Sequence, residues 1–437
     1  MKNILHLVAV LAVFSVFAPS LPSQTPTPAP PQSGAILLLG ATAHLGNGQV
    51  LNNSAIAFEG GKITLVADAA TVRLDRTKFS RIFDAAGKHV YPGFIAADSR
   101  LGLVEVDAVR ATQDFAETGN LNPNARAIIA YNTDSDVLPT VRSNGVLLAQ
   151  VVPISGAISG SSAVVQLDAW NWEDATLRAD DGIHLNWPSP QPRRRFGRQG
   201  VDSSQPEDNA YDGAVEELRR YFDEARAYSQ QPAPEVINPR FEAMRGLFDR
   251  SRNLYIHTSN AKTIQESVLF AEKFGVRPVL VGATDAWMVT DFLKEHQTLV
   301  ILAPTQQLPS REDDDVDQPY KTAVALHQGG IPFALTGIGG WRQRNLPFQA
   351  GQAVGAGLPY EAAVQAITLS PAAILGVGNT AGSLETGKDA TLFISEGDAL
   401  DMRTNQVTAA FIQGREISLD NKHKALSRRF EEKYKRQ

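Results

Sequence analysis

Cysteine does not occur anywhere in the 437 residues. Its absence excludes disulfide staples, thiolate nucleophiles and thiolate-held zinc, and it leaves no N-terminal cysteine for lipid attachment. Histidine is scarce, with eight residues, so a histidine-based metal centre has few positions to draw on. Neither sign of charge dominates: 41 Lys and Arg stand against 47 Asp and Glu, a net charge of −6. A basic nucleic-acid footprint is therefore missing. No internal repeat is present. What remains is an ordinary globular composition, 43% hydrophobic and 20% charged, in a chain longer than the roughly 250 residues of a single α/β barrel.

The one long apolar run is at the start. Lys2 precedes Ile4 to Phe17, interrupted only by His6 and Ser15, and Ala18 to Ser23 adds small residues and prolines. This order is that of a secretory signal peptide, and the run is shorter than the about 20 residues a membrane span needs. Residues 1–23 are expected to direct export, leaving a protein with no membrane attachment in a periplasm or outside the cell. Residues 24–34 are Pro-rich and read as a tether.

Past Ala35 the pattern is β: AILLLGATAHLGNG is a strand and turn, and SAIAFEGGKITLVAD is a hairpin about Gly60-Gly61. After Tyr91 short apolar runs alternate with helical ones. VLLAQVV, NLYIHTS, VRPVLVG, LVILAP and IPFALTG read as strands; 212–228 and AKTIQESVLFAEKFG, closed by Gly275, read as helices. Such alternation predicts a parallel α/β sheet or barrel. At the end, KDATLFISEG and VTAAFIQGREI return to β. The expected organisation is a composite β-domain from 35–90 and 385–420, a barrel over 91–384 and a charged tail over 421–437. Within the barrel span, Ser189 to Ala210, with Arg193 to Arg195, reads as a surface loop.

Two apparent motifs fail. GSLETGK (382–388) has the glycines and lysine of a phosphate loop, but Asp389 follows where Ser or Thr must hold magnesium, and a strand follows where a helix is needed. The run Ser155 to Ser162 has no G-x-S-x-G elbow and reads as a glycine-shaped backbone loop.

The segment 382–388 belongs to a different pattern. ITLSPAAILGVGNTAGSLETGKDATLFI resembles the C-terminal signature of the amidohydrolase superfamily, and IAFEGGKITLV with DAAGKHVYPGFIAADSRLG resembles its N-terminal counterpart. With NGVLLAQVVPISGAISGSSAVVQLD, similar to the exported imidazolonepropionase-like group, the resemblance spans Ala35 to Ile417. It implies a distorted TIM barrel with a composite β-sandwich. It further implies hydrolysis of C–N bonds at one or two metal ions on the carboxyl face of the barrel.

The resemblance also implies a ligand set: a His-x-His pair on the first barrel strand, a His after the fifth, a His after the sixth and an Asp after the eighth. At those positions this chain has Asp98 and Arg100, then His257, Gly282 and Ile338. Only His257 is retained, so four of the five ligands are missing. Guanidinium offers no lone pair, and its charge opposes a nearby dication. Asp98 and His257 are the candidate metal ligands that remain; Glu105, Asp107 and Asp285 lie near the same loops. His184 falls outside the pattern and reads as structural. Asp98 and Arg100 are two apart on one strand, hence expected on one side, where an Arg–Asp pair would fill the metal cavity.

Three functions follow from these substitutions. One is a non-catalytic homologue, the partner subunit of an active amidohydrolase, with no cofactor. Another is an active C–N hydrolase with zinc or another divalent metal on an altered ligand set. The third is a periplasmic binding protein for a small amide or cyclic ligand.

Overall fold

The computed structural model describes residues 27–190 and 207–435. The signal segment 1–23, the first tether residues and Arg193 to Arg195 lie outside the described residues. Along the chain, β1 (Ile36–His44), β2 (Val50–Glu59), β3 (Lys62–Asp68), β4 (Arg81–Asp84) and β5 (His89–Pro92) come first. Then come β6 (Phe94–Ser99), β7 (Val146–Val151), β8 (Ile158–Gln166), β9 (Thr176–Asn186), β10 (Asn253–Thr258), β11 (Pro278–Gly282), β12 (Leu299–Leu302) and β13 (Phe333–Leu335). Finally β14 (Leu392–Ser395), β15 (Val407–Ile412) and β16 (Arg415–Glu416) precede a last helix, Lys422–Lys435.

Both chain ends build one sheet, in the order β16-β15-β14-β5-β1-β2-β3 with β4 also on β1. Phe58 on β2 and Phe411 on β15 are separated by three strands in that order, yet their rings are 5.0 Å apart. The sheet therefore curls over its own core of Leu38, Ile56, Phe58, Ile63, Leu392, Ile394 and Phe411.

The second sheet runs β13 through β6 in strict sequence. Its pairings are parallel except those of β8, which is antiparallel to both β7 and β9. One reversed strand is the distortion of this TIM-like barrel. It also corrects the reading of Ser155 to Ser162: only the first part is loop, and Ile158 onward is strand. Alternation of β6 puts Ile95 and Ala97 in the barrel interior, with Leu148, Tyr255, Val279, Val281, Ile301 and Ala334. Phe94 and Ala96 face the outer helices. Ala372, Ile374 and Leu375 plug the amino end of the barrel. Between β13 and β6 no ladder forms; Thr336 Oγ1 donating to the Ala97 carbonyl and the Arg100 amide reaching the Gly339 carbonyl at 3.3 Å close the gap.

The helix Ala261–Phe274 shows why sequence and position agree here. Ile264, Val268, Ala271 and Phe274 recur at helical spacing and are buried. Asn260 caps it by accepting from the Thr263 amide at 3.0 Å, and Gly275 ends it at φ +69°. Its N-terminus opens at the carboxyl end of β10, where the barrel mouth lies.

Candidate functional site

The carboxyl ends of the barrel strands surround a cleft of about 430 Å³. Asp98, Arg100, His257, Gly282 and Ile338 all line it, joined by Ile154, Trp187, Asn260, Pro304 and Thr336. Three donors come together there: Asp98 and His257 from the lining and His184 behind them each offer one ligand atom, all within 4.8 Å of one another. Asp98 comes from β6, His184 from β9 and His257 from β10. His184, read from the sequence as structural, stands beside the two candidate ligands read there, Asp98 and His257.

His184 Nδ1 lies 2.9 Å from His257 Nε2, and His184 Nε2 lies 2.8 Å from Ser162 Oγ. Hydrogen-bond inventory assigns the tautomer. Gln150 Nε2 donates to Ser162 Oγ at 3.1 Å and to Asp181 Oδ2 at 3.0 Å; Tyr255 donates to Asp181 Oδ2 at 2.6 Å. Ser162 donates its only proton to Asp181 Oδ1 at 2.6 Å, so it must accept from His184. His184 then carries its proton on Nε2 and turns the Nδ1 lone pair toward His257 and Asp98. Tyr255 stacks on its ring at 4.7 Å and holds the plane.

Electrostatics match this arrangement. Burial pushes the His184 imidazole well below its ordinary value, and burial lowers that of His257 against an opposing pull from Asp98. Both rings are therefore neutral and able to donate a lone pair. Burial pushes the Asp98 carboxyl up, opposed by His257 and Arg100. Asp98 Oδ1 is buried without a hydrogen-bond partner among the described residues. His184 Nδ1 then accepts the His257 Nε2 proton across 2.9 Å, and an orphaned carboxylate oxygen beside two neutral imidazoles is a donor set that fits a divalent cation once that proton leaves.

Two backbone irregularities aim these groups. Asp98 sits at φ +48°, within a ladder shift between Ala96 and Ser99. That shift breaks the two-residue period on which an Asp98–Arg100 pair depended. The two side chains form no ion pair; the Arg100 guanidinium lies instead over Phe115, 5.1 Å from the ring centre. On β9, Asp180 at φ +49° marks a bulge that turns Asp181 into the barrel.

Glu105 and Asp285 are engaged elsewhere. Glu105 Oε1 accepts from the Asp136 amide at 2.9 Å, and Asp285 pairs with Arg311 at 2.9 Å. Asp107 is exposed. Gly282 has φ +90°, and a side chain there would begin 3.0 Å from the Thr258 carbonyl, so this backbone does not accommodate an imidazole easily.

Gly182 has a different role. A Cβ on it would stand 2.4 Å from Tyr255 Cε2 and 2.5 Å from the Asn253 carbonyl. Gly182→Ala is expected to lower stability by about 1–3 kcal/mol and to displace Tyr255 from Asp181; urea unfolding and tyrosine absorbance check both. Ser162→Ala removes the acceptor of His184 and a donor to Asp181. A zinc ion held by Asp98, His184 and His257 would be bound about 10- to 100-fold more weakly in this variant, read by competition with a chromogenic chelator.

Sequence reasoning missed His184, Ser162, Gln150, Asp181 and Tyr255. A signal existed for His184: in I-H-L its neighbours Ile183 and Leu185 belong to the outer core, leaving the histidine inward.

Residues 343–417, which run from beyond β13 through β16, match the amidohydrolase family. A sequence search of curated proteins finds no match. Among solved structures, an amidohydrolase from Thermotoga maritima superposes with a TM-score of 0.76, at 22% identity, over 88% of this chain and 99% of that one. Molinate hydrolase superposes with a TM-score of 0.54, at 17% identity, over 89% of this chain and 95% of that one. A prolidase complexed with N-methylphosphonate-L-proline gives 0.52, at 15% identity, over 88% and 99%. At these identities the likeness is one of fold. The matched segment 343–417 and the fold of the whole chain both support the amidohydrolase-superfamily resemblance read from the sequence.

Proposed function

We propose that this is an exported amidohydrolase-superfamily protein with a reduced metal centre. In this reading Asp98, His184 and His257 hold one divalent ion, zinc or a similar metal, and the cleft above presents a C–N bond of a small substrate for hydrolysis. The observation that carries it is the three-donor group with its orphaned Asp98 oxygen. A metal bound there would polarise a carbonyl and acidify a water. The protein's own part is to keep His184 in one tautomer through Ser162 and Asp181, and to line the cleft with Ile154, Trp187, Pro304 and Ile338. Export rests on the N-terminal segment alone.

A second reading has one observation in its favour. The eighth-strand end, Thr336 to Gly339, offers no carboxylate to the cleft, so the family's proton-carrying Asp has no counterpart there. On that reading the chain is a non-catalytic partner of an active homologue.

Elemental analysis of protein purified without chelator, followed by assays for released amine on a panel of small N-acyl amino acids and dipeptides, separates the two. Near-stoichiometric metal with turnover supports the hydrolase. Metal without turnover favours the partner role. Absence of metal after loading with zinc, iron and manganese sinks the metal centre itself.

A further inference from the structure

The hydrolase reading leaves one charged group of the cleft without a task. Arg100 stands just past β6 and lines the cleft. Its guanidinium rests on the Phe115 ring, 5.1 Å from the centre, and its backbone amide is bonded to the Gly339 carbonyl at 3.3 Å. It is anchored at both ends, yet among the described residues no carboxylate pairs with it and no acceptor takes its protons. Among the described residues Asp98, two residues away, is the sole carboxylate that lines the cleft, and it is directed to the two histidines.

The other described walls of the cleft are mostly neutral: Ile154, Trp187, Val281, Pro304 and Ile338 are apolar, and Asn186 spends its amide on the Gly156 carbonyl and Ser159. Asn260 is likewise committed, as the cap of the helix behind it. A cation held beside apolar walls, with no carboxylate among the described residues in ion-pair contact, attracts a ligand anion more strongly than an open surface would. The planar fork favours an anion with two adjacent oxygens.

We propose that Arg100 is an anion subsite, and that the cleft takes a small carboxylic acid with an apolar side chain and an amide, the size of an N-acyl amino acid. The carboxylate accepts from Arg100 and the apolar part lies against Trp187, Pro304 and Ile338. The carboxylate half of this inference rests on Arg100 alone; placing the amide toward Asp98, His184 and His257 rests on the proposed metal centre. In this chain, then, the position that would serve a metal ligand serves substrate recognition.

The test is calorimetric binding of N-acetyl-L-leucine and its uncharged partner N-acetyl-L-leucinamide to the full protein, with and without added zinc. The acid is expected to bind at least about tenfold more tightly than the amide. In Arg100→Gln the two are expected to bind within about twofold, while Arg100→Lys keeps part of the preference by keeping the charge. Equal binding of acid and amide to the unaltered protein, binding of neither, or a preference that survives in Arg100→Gln would each overturn the subsite. Zinc content is measured on the same samples. A carboxylate preference lost in Arg100→Gln without any bound zinc upholds the subsite and removes the metal centre; zinc without the preference does the reverse.

Discussion

Replacing His184 with alanine is expected to abolish metal binding in the barrel while the chain still folds. The ring supplies one of three donors, so its loss should weaken zinc by more than the 10- to 100-fold that an outer hydrogen-bond partner brings about. Stability also falls, because the imidazole is wholly buried. Its removal leaves a cavity against Tyr255 and an unfilled acceptor on Ser162, for a loss of about 2–4 kcal/mol. The two effects separate by linkage. A metal that binds only the folded state at 100 times its Kd adds about 2.7 kcal/mol to stability. In the unaltered protein, added zinc should therefore raise the urea midpoint; in His184→Ala it should leave the midpoint where it was. An equal zinc response in both proteins would place the metal elsewhere.

The second large effect concerns the junction of the two sheets. Asp168, following β8, is the hub: Arg142 donates to its Oδ1, while Arg415 of β16 donates to Oδ2 at 2.9 Å, as does the Ala29 amide at 2.8 Å. The side chains of Asp168, Arg142 and Arg415 are 3%, 5% and 17% exposed, so water can do little to replace a lost partner. Asp168→Asn removes the charge and points amide hydrogens at guanidinium hydrogens. Breaking a buried pair in this way costs about 3–5 kcal/mol, since the surviving charges stay buried and unpaired. Urea unfolding should show a lower midpoint with an unchanged slope. A loss below about 1 kcal/mol would mean that Arg142 and Arg415 find water in the folded protein.

Much of the architecture was legible because it depends on local pattern. Alternation about Gly60-Gly61 marked β2 and β3, the helical spacing of Ile264, Val268, Ala271 and Phe274 marked the helix that Gly275 ends, and the two end signatures joined both termini in one sheet. Pattern could not reveal that β8 runs backwards. Alternation along a strand reads the same in either direction, and the direction of β8 is set by its pairing with β7 and β9. The cleft was legible in part: Asp98, Arg100, His257, Gly282 and Ile338 could be named from alignment to strand ends, and the structure gathers all five at one mouth.

What the sequence by itself determined was what is absent: no cysteine and no His-x-His pair. Only the tertiary structure decided which of the remaining side chains meet. His184 and His257 are 73 residues apart and meet because β9 and β10 are parallel neighbours in register. Asp98 joins them, and Arg100 does not pair with it, because a positive φ and a ladder shift interrupt β6 between Ala96 and Ser99. Strand pairing and bulges are long-range outcomes of packing, so they decide which side chains share a cavity in ways that spacing along one strand cannot express.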